Sequence, residues 1–304
     1  MDMKPLVSII MNGFNGAKYL REAIQSLLDQ TYENWELIVW DNQSKDDTAE
    51  IAKSYSDPRI RYFYAPTHTA LGPARAEALK EARGEWVGFL DVDDLFLPNK
   101  LERQMAEAEK RGNSVSLIYC RTLGFTDDGR QWEFPYKMKG QLLPEGKVIR
   151  DLLLRGNFMA FVSVLFRRSA LMASGGLLSD FTFSMDNYLN VAIASEHDVC
   201  AVDEYLCRYR VHGGSMTAKV ALTGYQESIR ILERWRSVLS DREFEARLAQ
   251  YYTLMGAKQI LTGSYAQGLK TILTRGSFLF VLNRLAYALR RGLTGHYWSL
   301  MNPG

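Results

Sequence analysis

The sequence predicts an α/β fold, a Rossmann-like, mostly parallel sheet flanked by helices, with a C-terminal helical extension. Three observations carry this. Short β-rich apolar runs alternate with helix-periodic segments through the first half of the chain. Polar clusters fall at the ends of three of those runs, at 12–15, 41–44 and 91–94. Beyond residue 215 the pattern turns helical, without repeats or a low-complexity linker.

The elements follow in order. "LVSIIM" at 6–11 reads as a first strand, and Tyr19, Leu20, Ala23, Ile24, Leu27 and Leu28 then recur at helical spacing. "WELIVW" at 35–40 is a second strand, followed by the polar turn "DNQSKDDT" and a short helix. "RIRYFYA" at 59–65 precedes "GPARAEALKEARG", a helix with Pro73 near its start and Gly84 near its stop. "WVGFL" at 86–90 is a fourth strand. It runs into Asp91, Asp93 and Asp94, and a further helix opens at Pro98. Strands alternating with helices make βαβ units. Ligands of open α/β sheets sit beyond the carboxyl ends of the strands, so the three polar clusters predict one site.

With 304 residues, 47% hydrophobic and 24% charged, the chain has the composition of a folded protein with room for one or two domains. Cys120, Cys200 and Cys207 form neither a CxxC pair nor an even disulfide framework, which predicts a reducing compartment. The apolar run near the N-terminus is too short for a signal-peptide core, and no stretch approaches the ~20 apolar residues that cross a bilayer, so a cytoplasmic location is expected. The net charge of +2 hides an asymmetry. Residues 246–304 hold Arg247, Lys258, Lys270, Arg275, Arg284, Arg290 and Arg291 with no acidic residue, whereas the first 245 hold thirty basic against thirty-five acidic ones. Basic amphipathic helices of this kind lie on anionic membrane surfaces; packing on the catalytic domain, or on a second subunit in a homo-oligomer, is the alternative. No nucleic-acid partner is expected.

Asp91 and Asp93, one residue apart at a strand end, can offer two oxygen ligands to Mg²⁺ or Mn²⁺ while a bound diphosphate supplies others. A solvated turn with a helix cap near Pro98 is the plainer reading. Three longer stretches then match a known family. "VSIIMNGFNGAKYLREAIQSLLDQTYENWELIVWDNQSKDDT", "LGPARAEALKEARGEWVGFLDVDDLFLPNKLE" and "FRRSALMASGGL…FSMDNYLNVAIA…DEYLCRYRVHGGSMT" resemble, in order, the family 2 glycosyltransferases of GT-A fold over roughly residues 5–217.

That resemblance implies a metal-dependent, inverting transfer of a sugar from a nucleotide-diphosphate sugar, a UDP-sugar in the first instance, to a saccharide or lipid-linked acceptor hydroxyl. It implies a catalytic domain over 1–217, with a nucleotide half to about 115 and an acceptor half to 217, and a basic helical extension over 218–304. By the same resemblance Asp93 is the metal-ligating carboxylate, Asp91 the ribose or metal contact, and Asp94 a solvated or helix-capping residue. Asn12 and Phe14 match base-contacting positions, although the family commonly has Pro-Thr-Tyr where this chain has Asn12, Gly13 and Phe14. Asp41 matches the first Asp of an Asp-Asp-Gly-Ser turn whose second Asp is here Asn42. Arg75 lies near the nucleotide, or is an ordinary helix-surface arginine. His212, entering a Gly-rich loop, completes the metal shell or contacts the diphosphate, or is structural. Asp186 matches the base of a Glu-Asp pair in which Met185 replaces the Glu, and a helix N-cap is its other reading.

Two rivals stand beside this. A DxD-type phosphatase also places two Asp after an apolar strand, but there it ends the first strand and here it follows three earlier ones. A nucleotide-sugar-binding protein without turnover would tolerate the departures at Met185 and Asn42. A dehydrogenase is set aside because the first strand leads into "NGFNG" and not GxGxxG.

Overall fold

The computed structural model describes residues 4–135, 138, 140–175, 177, 181–213 and 222–277. They form two compact units, Met1–Val148 with Asn157–Ser215, and Ile149–Gly156 with Met216–Gly304. The expected division at residue 217 runs along the sequence. The units do not, because the segment 149–156 groups with the C-terminal helices.

The first unit is a nine-stranded sheet with helices. Strands β1 (Val7–Gly13), β2 (Trp35–Asp41), β3 (Ile60–Tyr64) and β4 (Trp86–Phe89) lie parallel in the order β3-β2-β1-β4. The sheet continues through β8 (Leu165–Arg167), β6 (Val115–Phe125), β9 (Asp198–Arg210) and β5 (Leu95–Phe96), with β7 (Gln131–Phe134) paired to β6. β8 is antiparallel to both β4 and β6, and β6 and β9 are parallel, so β1–β4, β6 and β9 all point one way. β1 and β2 are buried at every position, as strands covered on both faces must be.

Helix α1 (Ala17–Leu28) buries Leu20, Ala23, Ile24 and Leu27 against this sheet, the stripe its spacing predicts. The remaining helices of the unit are α2 (Thr48–Lys53), α3 (Leu71–Lys80), α4 (Lys100–Arg111), α6 (Arg168–Ala173) and α7 (Met185–Glu196). Cys120, Cys200 and Cys207 are free and buried.

The second unit contains α5 (Ile149–Arg155), α8 (Leu222–Arg234), α9 (Asp241–Leu261) and α10 (Tyr265–Arg275). Ser240 caps α9 in a reciprocal box with Glu243, and Arg150 of α5 pairs with Glu243. α9 and α10 cross backbone to backbone at Gly256 and Gly268; a Cβ at Gly256 would lie 2.7 Å from the Gly268 carbonyl. α10 leaves Tyr265, Leu269 and Leu273 exposed beside Lys270 and Arg275. Arg284, Arg290 and Arg291, on which the membrane expectation also rests, lie outside the described residues. No described helix is long and apolar enough to cross a membrane.

Candidate active site

The carboxyl ends of β1, β2 and β4 come together because those strands pair in parallel, with Gly13 opposite Asp41 and Ile10 opposite Phe89. The three polar clusters therefore share one edge of the sheet. Their loops are tied to one another: the Asn42 N–H donates to the Gly13 carbonyl (2.8 Å), Asn15 N–H to Ser44 Oγ (2.9 Å), and Lys45 N–H to Asn15 Oδ1 (2.8 Å). Asn15 and Gln43 hold φ of 53° and 68°, a left-handed backbone that costs a non-glycine residue energy; Asn15 is tied by the bonds above, and the Gln43 amide donates to the Ala65 (3.3 Å) and Pro66 (3.0 Å) carbonyls.

In the acidic turn the middle residue is the anchor. Val92 packs onto Gly13 and Gly16, where a Cβ at Gly16 would approach Val92 Cγ2 to 2.9 Å. Val92 is partly buried against the core, and Asp91 and Asp93 on either side of it are part-exposed at the strand end. Asp91 pairs with the Arg75 guanidinium, which is only 4% exposed and lies 4.6 Å from the Phe161 ring centroid. Arg75 is thus a buried cation at the site and no surface helix residue. Asp93 Oδ2 lies 2.9 Å from His212 Nε2. Burial, and then the neighbouring Asp91 charge, push the Asp93 carboxyl above the usual carboxylate range.

Asp94 departs from expectation. It is buried, its Oδ1 accepts the Arg210 backbone N–H (2.9 Å), and burial holds its carboxyl well above the ordinary range. It is neither a solvated turn residue nor a helix cap; the cap of α4 is Asn99. The Arg210 side chain closes the same corner, donating to the Asp93 carbonyl (2.9 Å), Asp127 (2.6 Å) and Glu22 (2.5 Å) while lying 4.3 Å from the Tyr19 ring centroid. Tyr19 in turn packs on His212, with ring centroids 5.2 Å apart. The sequence reading missed Arg210, although it stands two residues before His212 in the same "RYRVH" stretch.

On the β2 side, Asp41 is fully buried. Its two oxygens accept the Ser44 N–H (2.7 Å) and the Tyr62 hydroxyl (2.7 Å), so it braces the turn. Asn42 also faces inward: its amide donates to the Thr69 carbonyl (2.7 Å) and accepts the Thr69 N–H (3.1 Å). An Asp in its place would lose the donor. Phe14 is 51% exposed, with its ring centroid 4.4 Å from that of His68. Asn12 is buried at the β1 end with both amide atoms lacking a hydrogen-bond partner.

Asp186 stands in the first turn of α7, two residues past the N-cap Ser184, whose own side chain makes no capping bond, and its carboxyl accepts the Asn187 backbone N–H. Asn157 Nδ2 donates to Asp186 Oδ2 (3.0 Å), and Asn190 Nδ2 donates to Asn157 Oδ1 (3.0 Å). Burial raises the Asp186 carboxyl above its ordinary value, opposed by the Asn187 backbone N–H and by the nearby charge of Arg75. Arg75 therefore links Asp91, which it pairs, to Asp186, which feels its field. Met185 is buried and packs toward Gly72 at the start of α3. Asn157 lies far from any motif, and no local signal marks it.

For a divalent ion the chain supplies one carboxylate and one imidazole in contact, Asp93 and His212, with Asp91 two residues away. Among the described residues no cluster of three or more His, Cys, Asp or Glu is arranged to hold a metal. This set fits Mg²⁺ or Mn²⁺, which take one or two carboxylates and complete their shells from water and substrate phosphates.

Asp91 with Arg75 and Asp93 with His212 thus meet at the carboxyl edge of a mostly parallel sheet. The chain belongs to glycosyl transferase family 2, whose model matches residues 8–175. An uncharacterized glycosyltransferase of Rickettsia typhi is 30% identical over 306 residues, 94% of this chain and 92% of its own. The Escherichia coli UDP-Glc:alpha-D-GlcNAc-diphosphoundecaprenol beta-1,3-glucosyltransferase WfgD is 30% identical over 256 residues, 82% of this chain and 91% of its own. Staphylococcus aureus TarS residues 1–349, solved with UDP-GlcNAc, superposes with a TM-score of 0.67 at 19% identity over 90% of this chain and 79% of that one, and shares the GT-A fold. Family membership sets aside the phosphatase alternative.

Proposed function

We propose that this chain transfers a glycosyl group from a UDP-sugar to a hydroxyl of a saccharide or lipid-linked acceptor, with inversion at the anomeric carbon, in polysaccharide or glycolipid synthesis. The observation that carries this is the Arg75 guanidinium, paired to Asp91 at the diphosphate edge and felt by the raised carboxyl of Asp186. The similarity to WfgD over 82% of this chain supports the donor and acceptor classes, since WfgD is named for a UDP-glucose donor and a diphosphoundecaprenol-linked acceptor.

Asp186 takes the proton from the acceptor hydroxyl as its oxygen attacks the anomeric carbon. Burial makes this carboxylate a better base than an exposed one, and Asn157 orients it. Asn12 and Phe14 meet the base, with Asp41 and Asn42 holding the turn behind them. Asp91, fixed by Arg75, meets the ribose or the ion. A bound Mg²⁺ or Mn²⁺, held by Asp93 and His212, would neutralise charge on the departing nucleoside diphosphate.

Asp93→Ala tests the reading, because removing a part-exposed carboxylate deletes a ligand without opening a core cavity. Calorimetry should find metal-stimulated UDP-sugar binding lost while thermal unfolding stays near wild type. Unchanged, still metal-stimulated affinity would sink the assignment.

A lipid-linked acceptor would be met at the cytoplasmic membrane face, and the exposed Tyr265, Leu269 and Leu273 beside Lys270 and Arg275 support contact there. Cosedimentation with anionic vesicles should be strong at low salt and weaker at high salt. No binding at either salt would leave subunit packing as the role of these helices.

A further inference from the structure

His68 belongs to no motif of the sequence, yet the structure fixes which of its ring nitrogens carries the proton. Its Nδ1 lies 2.8 Å from the main-chain carbonyl oxygen of Asn42. A carbonyl only accepts, so in the neutral imidazole Nδ1 is the donor and Nε2 is left as a lone-pair acceptor. Asn42 cannot drift to spoil this. Its N–H is bound to the Gly13 carbonyl, and its side chain grips the Thr69 backbone through both amide atoms, so the residues on either side of the imidazole contact are pinned.

The surroundings point to a flat ligand. The Phe14 ring stands 4.4 Å from the His68 ring at an interplanar angle of 54°, and Phe14 is half exposed, as is unusual for a large apolar side chain beside a buried strand. Two residues earlier, the buried Asn12 amide has neither its donor nor its acceptor satisfied. Leaving such groups unmet inside the protein is costly.

Resting on the donor reading above, we propose that His68 is a base-reading residue whose Nε2 accepts the ring N–H of a uracil-type base. An acceptor without a donor selects a ring N–H. Cytosine and adenine present a lone pair at the corresponding ring nitrogen, which faces the Nε2 lone pair unfavourably. The Asn42 main-chain carbonyl sets the tautomer, and the Asn42 side chain, bonded to the Thr69 backbone, holds that carbonyl in place.

The test measures dissociation constants for UDP, 3-methyl-UDP, CDP and GDP with Mn²⁺ present, on the wild type and on His68→Phe, which keeps the ring against Phe14 but removes both nitrogens. The wild type should bind UDP about tenfold more tightly than 3-methyl-UDP or CDP, the contribution of one hydrogen bond. His68→Phe should lose about that factor for UDP and nothing for 3-methyl-UDP, with its unfolding midpoint near wild type. If UDP affinity and discrimination against the methylated nucleotide survive in His68→Phe, another group reads the base and the assignment falls alone. Tighter binding of GDP than of UDP by the wild type overturns the uracil assignment. Failure of every nucleoside diphosphate to bind the wild type takes down the donor reading and this assignment with it.

Discussion

The turns that follow β2 and β4 look alike in sequence: each puts acidic residues at the carboxyl end of a buried strand on the same edge of one sheet. In space they do opposite things. Asp41 is buried with both oxygens engaged by Tyr62 and Ser44, whereas Asp91 and Asp93 stay part-exposed and face Arg75 and His212. Within the second turn the contrast repeats between neighbours, since Asp94 is buried on the Arg210 backbone N–H. Of the four strand-end carboxylates, Asp41 and Asp94 are therefore buried braces, whereas Asp91 and Asp93 keep part of their surface open.

Substitutions sharpen that contrast, because a site residue should fail in rate and a brace in stability. The largest effect is expected at Asp186, which belongs with the site carboxylates. Asp186→Asn keeps the shape and the Asn157 contact but removes the proton affinity, so transfer should fall by about 10²- to 10⁴-fold at saturating donor, with donor affinity and thermal stability little changed. Since burial raises its carboxyl, the wild-type rate should climb with pH along an acid limb lying above the ordinary carboxylate value of about 3.9, as the base loses its proton. Asp186→Asn should lack that limb. Near-normal transfer by this variant would remove Asp186 as the base.

The braces should respond the other way, and more weakly. Asp41→Ala strands the Tyr62 hydroxyl and the Ser44 N–H and should cost about 3 kcal/mol in a denaturation midpoint experiment, two charge-assisted bonds being lost. Asp94→Ala strands the Arg210 N–H and should cost about 1–3 kcal/mol, while Asp94→Asn, which keeps an acceptor oxygen, should cost less. A loss of metal-stimulated binding with unchanged stability in Asp94→Ala would make Asp94 a site residue and erase the contrast.

Much of the nucleotide half was readable without coordinates. The runs expected at 6–11, 35–40, 59–65 and 86–90 are the strands Val7–Gly13, Trp35–Asp41, Ile60–Tyr64 and Trp86–Phe89; the first, second and fourth are buried throughout and read as apolar runs closed by polar turns, and the third is the part-exposed end strand. The edge that gathers the clusters followed from parallel pairing alone. Which polar side chains turn inward was not readable, since Asp41 and Asp93 differ only in distant partners, Tyr62 and His212. Nor were Arg210, Asn157 and His68, whose roles come from contacts with Asp94, Asp186 and Asn42 and leave no periodicity or spacing behind.

The bond between Asp94 and Arg210 spans 116 positions of sequence, and β5, which directly follows the acidic turn, pairs among the described residues with β9 alone. Contacts so distant close late in folding, since the intervening chain must be ordered before they contribute. Strands β1 to β4 can pair while the ribosome is still synthesising β9. The turn between β4 and β5 is therefore held from β9, and a chain interrupted before residue 198 would lack the strand that holds it.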